Sequence, residues 1–315
     1  MLGKTANGLF WMYRYFERAE NTARLIETGQ RIALTRLDAG DDEWVSVLQS
    51  AGALTDFEAE AEGNPVTRDE AVDWLLRSGA NASSVLSCIE AARQNARLVR
   101  TALTGEVWEA TNATYMTARR ILARKVSERD LPETLRTIRQ HAALVRGMTL
   151  GTMMRTEIFN FARIGTFLER ADSTARILDV KYYVLLPSAG AVGTSIDNVQ
   201  WETILRSVSA RGGFRLEYGA AGGPLEIAEF LILNKRMPRS LAFCAETVRE
   251  NLLHLQQDIP DPLPSLDLVD ALLAECLSQD IGAVFDFGLH EFIETVLAHL
   301  ARIARQIEID FRFYE

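Results

Sequence analysis

One charged helical stretch occurs twice in this chain. Tyr15 to Glu27 reads Y-F-E-R-A-E-N-T-A-R-L-I-E, and Phe167 to Asp179 reads F-L-E-R-A-D-S-T-A-R-I-L-D. Glu17, Arg18, Ala19, Thr22, Ala23 and Arg24 return as Glu169, Arg170, Ala171, Thr174, Ala175 and Arg176, and Glu20 is answered by Asp172. At about 100° per helical residue, Met12, Phe16, Ala19, Ala23 and Ile26 share one stripe, as do Ile164, Leu168, Ala171, Ala175 and Leu178. An ionic stripe lies beside each. Because alanine lets a neighbouring helix approach closely, those charges are expected next to a packed seam.

Charges at a seam are costly unless paired. Neighbouring helix positions diverge, so Glu17 and Arg18 cannot meet on one face. Glu20 can reach Arg24, and Asp172 can reach Arg176, one turn on; Arg14 is within reach of Glu17. Arg18 and Arg170 have no partner within their own helices. The simplest solution is cross-helix pairing, the arginine of one copy on a carboxylate of the other. The functional alternative is that the same residues line a cavity between the two copies. Guanidinium forks there suit a phosphate, a carboxylate or a peptide terminus, and Glu17 and Glu169 become candidate acids or bases. Spacing alone leaves both open.

The repetition extends further. Trp44, Leu48, Ser50 and Ala53 match Trp201, Leu205, Ser207 and Ala210, and Ser84, Cys88, Glu90 and Arg93 match Ser240, Cys244, Glu246 and Arg249. The separations are 152, 157 and 156 positions, in the same order. This pattern predicts a tandem duplication of about 155 residues per copy. The expected fold is all-α: a duplicated helical bundle with pseudo-two-fold related halves, 1–156 and 157–315, packed as one intimate unit.

Helices are expected over about Thr5–Arg36, broken by Asp38 to Asp42, and from about Glu43. Others open at the capping box Thr67–Glu70, at the cap Asn81–Ser84 and at Pro132. In the second half a helix ends before Pro187, Ser195 or Asp197 caps the next, Arg211 to Pro224 reads as a glycine-rich loop, and Ser240 caps another. A long helix is expected over about Ile281–Phe311.

With 34 Lys plus Arg against 43 Asp plus Glu, the net charge of −9 argues against bulk binding to nucleic acid or anionic lipid. No apolar run is long enough to span a membrane, and the start has no apolar leader, so a cytoplasmic protein is expected. Cys88, Cys244 and Cys276 form no metal or redox motif, and the four histidines show no ligand spacing; neither a metal nor a cofactor is expected. Arg236, Arg239 and Ser240 put two cations at a helix start, a secondary candidate for anion binding against plain capping and surface charge.

On these residues the chain resembles the alpha-E family, bacterial all-helical proteins with a Glu-Arg motif. The stretches that carry the likeness are Leu2–Arg24, Leu168–Asp172, Gln200–Ser209 and Phe230–Cys244. The resemblance implies partnership with a circularly permuted ATP-grasp ligase, often beside a transglutaminase-like protein. The implied role is a non-catalytic helical binding or scaffolding partner in amide- or peptide-bond formation. It would bind a peptide or acidic ligand near Glu17, Arg18, Glu20, Arg24, Glu169, Arg170, Asp172 and Arg176. The alternative is an enzyme, a helical transferase or ligase subunit using Glu17 and Glu169 in an axial pocket.

Overall fold

A computed structural model describes residues 2–33, 42–185, 195–219 and 222–314. Among the described residues the chain forms fifteen α-helices and no strand. They run α1 (Gly3–Ala33), α2 (Asp42–Ser50), α3 (Leu54–Glu60), α4 (Arg68–Arg77), α5 (Val85–Leu98), α6 (Gly105–Ile121) and α7 (Leu131–Thr152). Then follow α8 (Glu157–Leu185), α9 (Ser195–Ser207), α10 (Arg211–Tyr218), α11 (Pro224–Ile232), α12 (Leu241–Gln256), α13 (Pro264–Glu275), α14 (Ile281–Phe287) and α15 (Leu289–Asp310). None is long and apolar enough to cross a membrane.

The two copies of the charged stretch lie on α1 and α8, which pack along each other at the centre of the molecule. Both alanine stripes are buried in their seam. Gly165 permits the contact, since a Cβ there would overlap the Phe10 carbonyl. Around this pair the remaining helices make corresponding contacts. α5 lies on α1 and α12 on α8; α6 joins α5 to α7 as α13 joins α12 to α15; α7 returns to α1 and α15 to α8. α2 crosses to α8 and α9 crosses to α1.

Local chemistry sets the helix starts. Thr67 accepts the Glu70 amide at 3.3 Å, and Ser84 and Ser240 accept the amides of Ser87 and Phe243. Each fills one of the amide vacancies a helix start leaves open.

Two expectations need correction. Arg211 to Tyr218 is helix α10, not a glycine-rich loop. Phe214 stacks on Tyr218 at 5.0 Å and meets Phe230 edge-on at 5.6 Å, so aromatic packing overrides the weak propensity of Gly212 and Gly213. The last long helix is broken at Gly288, whose φ of 108° no other residue adopts easily. Gly52, at φ 66°, ends α2 and lets the separate short helix α3 begin. The expected break at Asp38 to Asp41 and the stop at Pro187 lie outside the described residues, as do the side chains of Ser195 and Asp197.

Candidate functional site

The α1–α8 seam carries two ionic clusters, one on each side of the same dipeptide. Arg18 forks onto Glu169 through Nε at 2.6 Å and Nη2 at 3.1 Å. In return Arg170 forks onto Glu17 at 2.9 and 3.0 Å. The cross-helix pairing expected from two arginines without partners in their own helices is present. Arg14 was placed near Glu17 by helix spacing. It instead donates to Glu169 across the seam at 2.7 Å, with its guanidinium over the Phe10 and Trp11 rings.

The Glu17 side is closed. Glu17 also accepts from Arg239 and Arg146, both at 3.2 Å, and Glu20 accepts from Arg24 at 2.7 Å, from Arg239 at 2.8 Å and from Arg146. Arg24 continues to the Ser207 carbonyl and the Ser209 hydroxyl at 2.9 and 2.8 Å, tying α1 to the end of α9. Burial alone would raise the carboxyls. The surrounding guanidinium groups outweigh it and hold both Glu17 and Glu20 well below the usual carboxylate range. Burial, with Arg24 and Arg170 close by, pulls Arg239 down to about 10. Neither Arg239 nor Arg146 was legible as a member of this cluster; no local spacing links them to α1.

The Glu169 side is open. A cavity of about 350 Å³ lies there, walled by Arg14, Arg18, Asn21, Ser50, Asp172 and Arg176 among others, with Glu169 at its back. Positions 156 and 158 apart explain the difference. Where Arg239 fills the Glu17 side, the corresponding position is Ser83, which lines the cavity. Where Arg146 stands on α7, the same turn of α15 carries Ala304. Two long cations on one side are thus replaced by two small residues on the other.

Among the described residues, two buried polar atoms in the cavity wall have no hydrogen-bond partner: Asn21 Nδ2 and Ser50 Oγ. The orientation of Asn21 is fixed from behind, since its Oδ1 accepts from Arg239 at 3.1 Å and only the amide NH2 is left over. Ser207, the counterpart of Ser50, is bonded to Thr28 and to the Thr203 carbonyl at 2.5 and 2.7 Å. Among the described residues Asp172 is bonded by Arg176 alone, at 2.7 Å. Burial would raise Glu169, but Arg18 and Arg14 bring it down to about 2.

Of the eight motif residues, Arg18, Glu169, Asp172 and Arg176 border the cavity, whereas Glu17, Glu20, Arg24 and Arg170 belong to the closed cluster. The secondary trio is split. Arg239 is buried in that cluster, Arg236 is on the surface beside Glu217, and Ser240 caps α12 and donates to the Asn234 carbonyl. Among the described residues no group of His, Cys, Asp and Glu has the arrangement to hold a metal ion.

A seam built on reciprocal Glu-Arg pairs agrees with comparison to known families. The Alpha-E family model, described as a predicted alpha-helical domain with a conserved ER motif, matches residues 1–311, and the chain belongs to that family. No curated protein and no solved structure matches it.

Proposed function

We propose that the protein is a non-catalytic helical binding and scaffolding partner of an ATP-grasp-type ligase that forms amide or peptide bonds. In this reading the cavity beside Glu169 holds a peptide or acidic ligand. The observation that carries the ligand reading is the pair of unsatisfied buried atoms, Asn21 Nδ2 and Ser50 Oγ, in a wall that also presents Arg18 and Arg176. Leaving such groups unpaired costs about 1–3 kcal/mol each, a cost that a bound acceptor removes. The mixed wall, guanidinium donors beside the Asp172 carboxylate, suits a ligand with both an acidic group and amide hydrogens.

The enzyme alternative needs a carboxyl able to exchange a proton near neutral pH. Glu17 and Glu169 are each saturated by guanidinium groups and held ionised, which favours the binding reading. The ligase partner and the transglutaminase-like neighbour rest on the resemblance to the alpha-E family, and the cytoplasmic setting on the sequence's cysteine usage. The buried, free cysteines are compatible with that setting. The reading of residues 1–156 and 157–315 as two copies of one unit is supported by the constant offsets and the corresponding helix contacts.

The test is capture with the full chain from its native host, followed by assay of ATP-dependent amide formation by the recovered ligase. The expected result is an ATP-grasp ligase whose rate falls when the chain is omitted, and falls likewise with Asn21→Ala. Recovery of no such ligase, or a rate indifferent to the chain, contradicts the proposal.

A further inference from the structure

The closed cluster around Glu17 carries more positive than negative charge. Among the described residues, Arg24, Arg146, Arg170 and Arg239 form ion pairs only with Glu17 and Glu20, within one network. A fifth cation stands next to it. Arg163, about two helix turns before Arg170 on α8, makes no hydrogen bond or ion pair among the described residues. Its guanidinium lies over the rings of Phe167 at 4.4 Å and Phe159 at 5.9 Å. Glu250 on α12 opposes it with a negative charge, and Arg155 adds a like charge of smaller effect.

The excess opens onto a second cavity, of about 120 Å³, between α1, α7 and α8. Arg146, Arg163 and Arg170 line it, with Tyr13 and Thr149 opposite. None of its lining residues is shared with the cavity beside Glu169. The hydroxyls are already engaged: Thr149 with the Val145 carbonyl at 2.9 Å, and Tyr13 and Thr149 with each other at 2.6 Å. Arg170 is spent on Glu17 and the Pro238 carbonyl. Donors for a guest therefore come from Arg163, whose N–H groups are all unengaged, and from the part of Arg146 not turned to Glu17 and Glu20.

We propose that this cavity is a binding site for a small tetrahedral oxyanion, inorganic phosphate or the phosphoryl end of an ester. Two guanidinium forks, with a third as back wall, match the spread of oxygens on such a group. A charge of two on the guest offsets most of the local excess of three, which a single carboxylate does not. The chemistry is separate from the peptide-binding reading and stands or falls alone. Burial and the Arg170 charge depress the Arg163 pKa, against the partial opposition of Glu250, in keeping with a cation that no ion pair neutralises among the described residues.

Calorimetric titration and thermal scans of the full chain with sodium phosphate, against sodium chloride at equal ionic strength, test the site. The expected result is saturable binding of one phosphate and a rise in Tm that chloride does not give. Affinity should fall at least about tenfold in Arg163→Gln and recover in part in Arg163→Lys. Leu150 is half-exposed in the wall, so Leu150→Glu should fold normally and abolish binding by placing a carboxylate at the site. Parallel titration with glycerol 3-phosphate separates the sources: binding by both anions assigns the phosphoryl end, binding by phosphate alone the free ion. An equal response from chloride overturns the proposal, as does unchanged phosphate affinity in Leu150→Glu or Arg163→Gln.

Discussion

Arg170 reaches across the seam to fork onto Glu17 with two bonds of nearly equal length, 2.9 and 3.0 Å. The carboxylate is 1% exposed, and two further guanidinium groups, those of Arg239 and Arg146, bond to it. Replacing it by an amide strands the cations that it neutralises. Glu17→Gln should lower the unfolding free energy by about 3–5 kcal/mol, measured by urea denaturation at pH 7. A loss below about 1 kcal/mol would show the pair to be solvent-relaxed.

Acid should weaken the fold through the same groups. A carboxyl whose folded pKa is depressed contributes stability that is complete above its unfolded value and is lost as pH falls through the folded one. For Glu169 that window runs from about 4.5 down to about 2, and Glu17 extends it lower. Stability measured between pH 5 and pH 2.5 should decline steadily, and Glu169→Gln should flatten part of that slope. An unchanged slope in the variant would separate Glu169 from acid unfolding.

The difference between the two sides of the seam can be erased. Ser83→Arg puts into the open side the residue that Arg239 supplies on the closed side. The side chain has space of about 350 Å³ to enter and finds Glu169, Asp172 and Ser173 where Arg239 finds Glu17, Glu20 and Asn21. The variant should fold with little change in Tm and lose any thermal shift that a glutamyl dipeptide gives the wild type. Retention of that shift would place the ligand elsewhere.

At Gly165 two effects of opposite sign compete. Alanine in a helix interior gains about 1 kcal/mol of propensity over glycine. Here its Cβ overlaps the Phe10 carbonyl, a backbone atom that cannot swing away, so α1 and α8 must separate. Overpacking of this kind costs about 1–3 kcal/mol, and Gly165→Ala should destabilise on balance. A stabilised variant would mean that the seam gives more easily than its geometry implies.

Burial also silences the thiols. Cys88 and Cys244 are enclosed, and burial pushes both up to about 12. A thiol-reactive disulfide reagent at pH 8 should label neither until the chain unfolds. Rapid labelling of Cys88 in the native protein would contradict the packing around Ser84.

The seam was readable because its information is local and repeated. Alanine stripes at helical spacing, caps at Thr67, Ser84 and Ser240, and two arginines with no partner in their own helices all point to α1 meeting α8. What escaped is carried by tertiary contact. Arg146 and Arg239 come from α7 and from the turn before α12, and nothing near Glu17 in the sequence announces them. The cavity was invisible for the same reason. Small Ser83 stands in its wall where Arg239 fills the other side, a contrast that acquires meaning only once the helices are placed. Gly212 and Gly213 misled in the other direction, since Phe214, Tyr218 and Phe230 hold as helix what composition marks as loop.

The most direct measurement is a double-mutant cycle on Glu17→Gln and Arg170→Met, read by urea denaturation at neutral pH. Direct pairing across the α1–α8 seam predicts a coupling energy of about 1–3 kcal/mol, the double variant being less damaged than the two single losses added together. Strict additivity of the two losses would contradict the account.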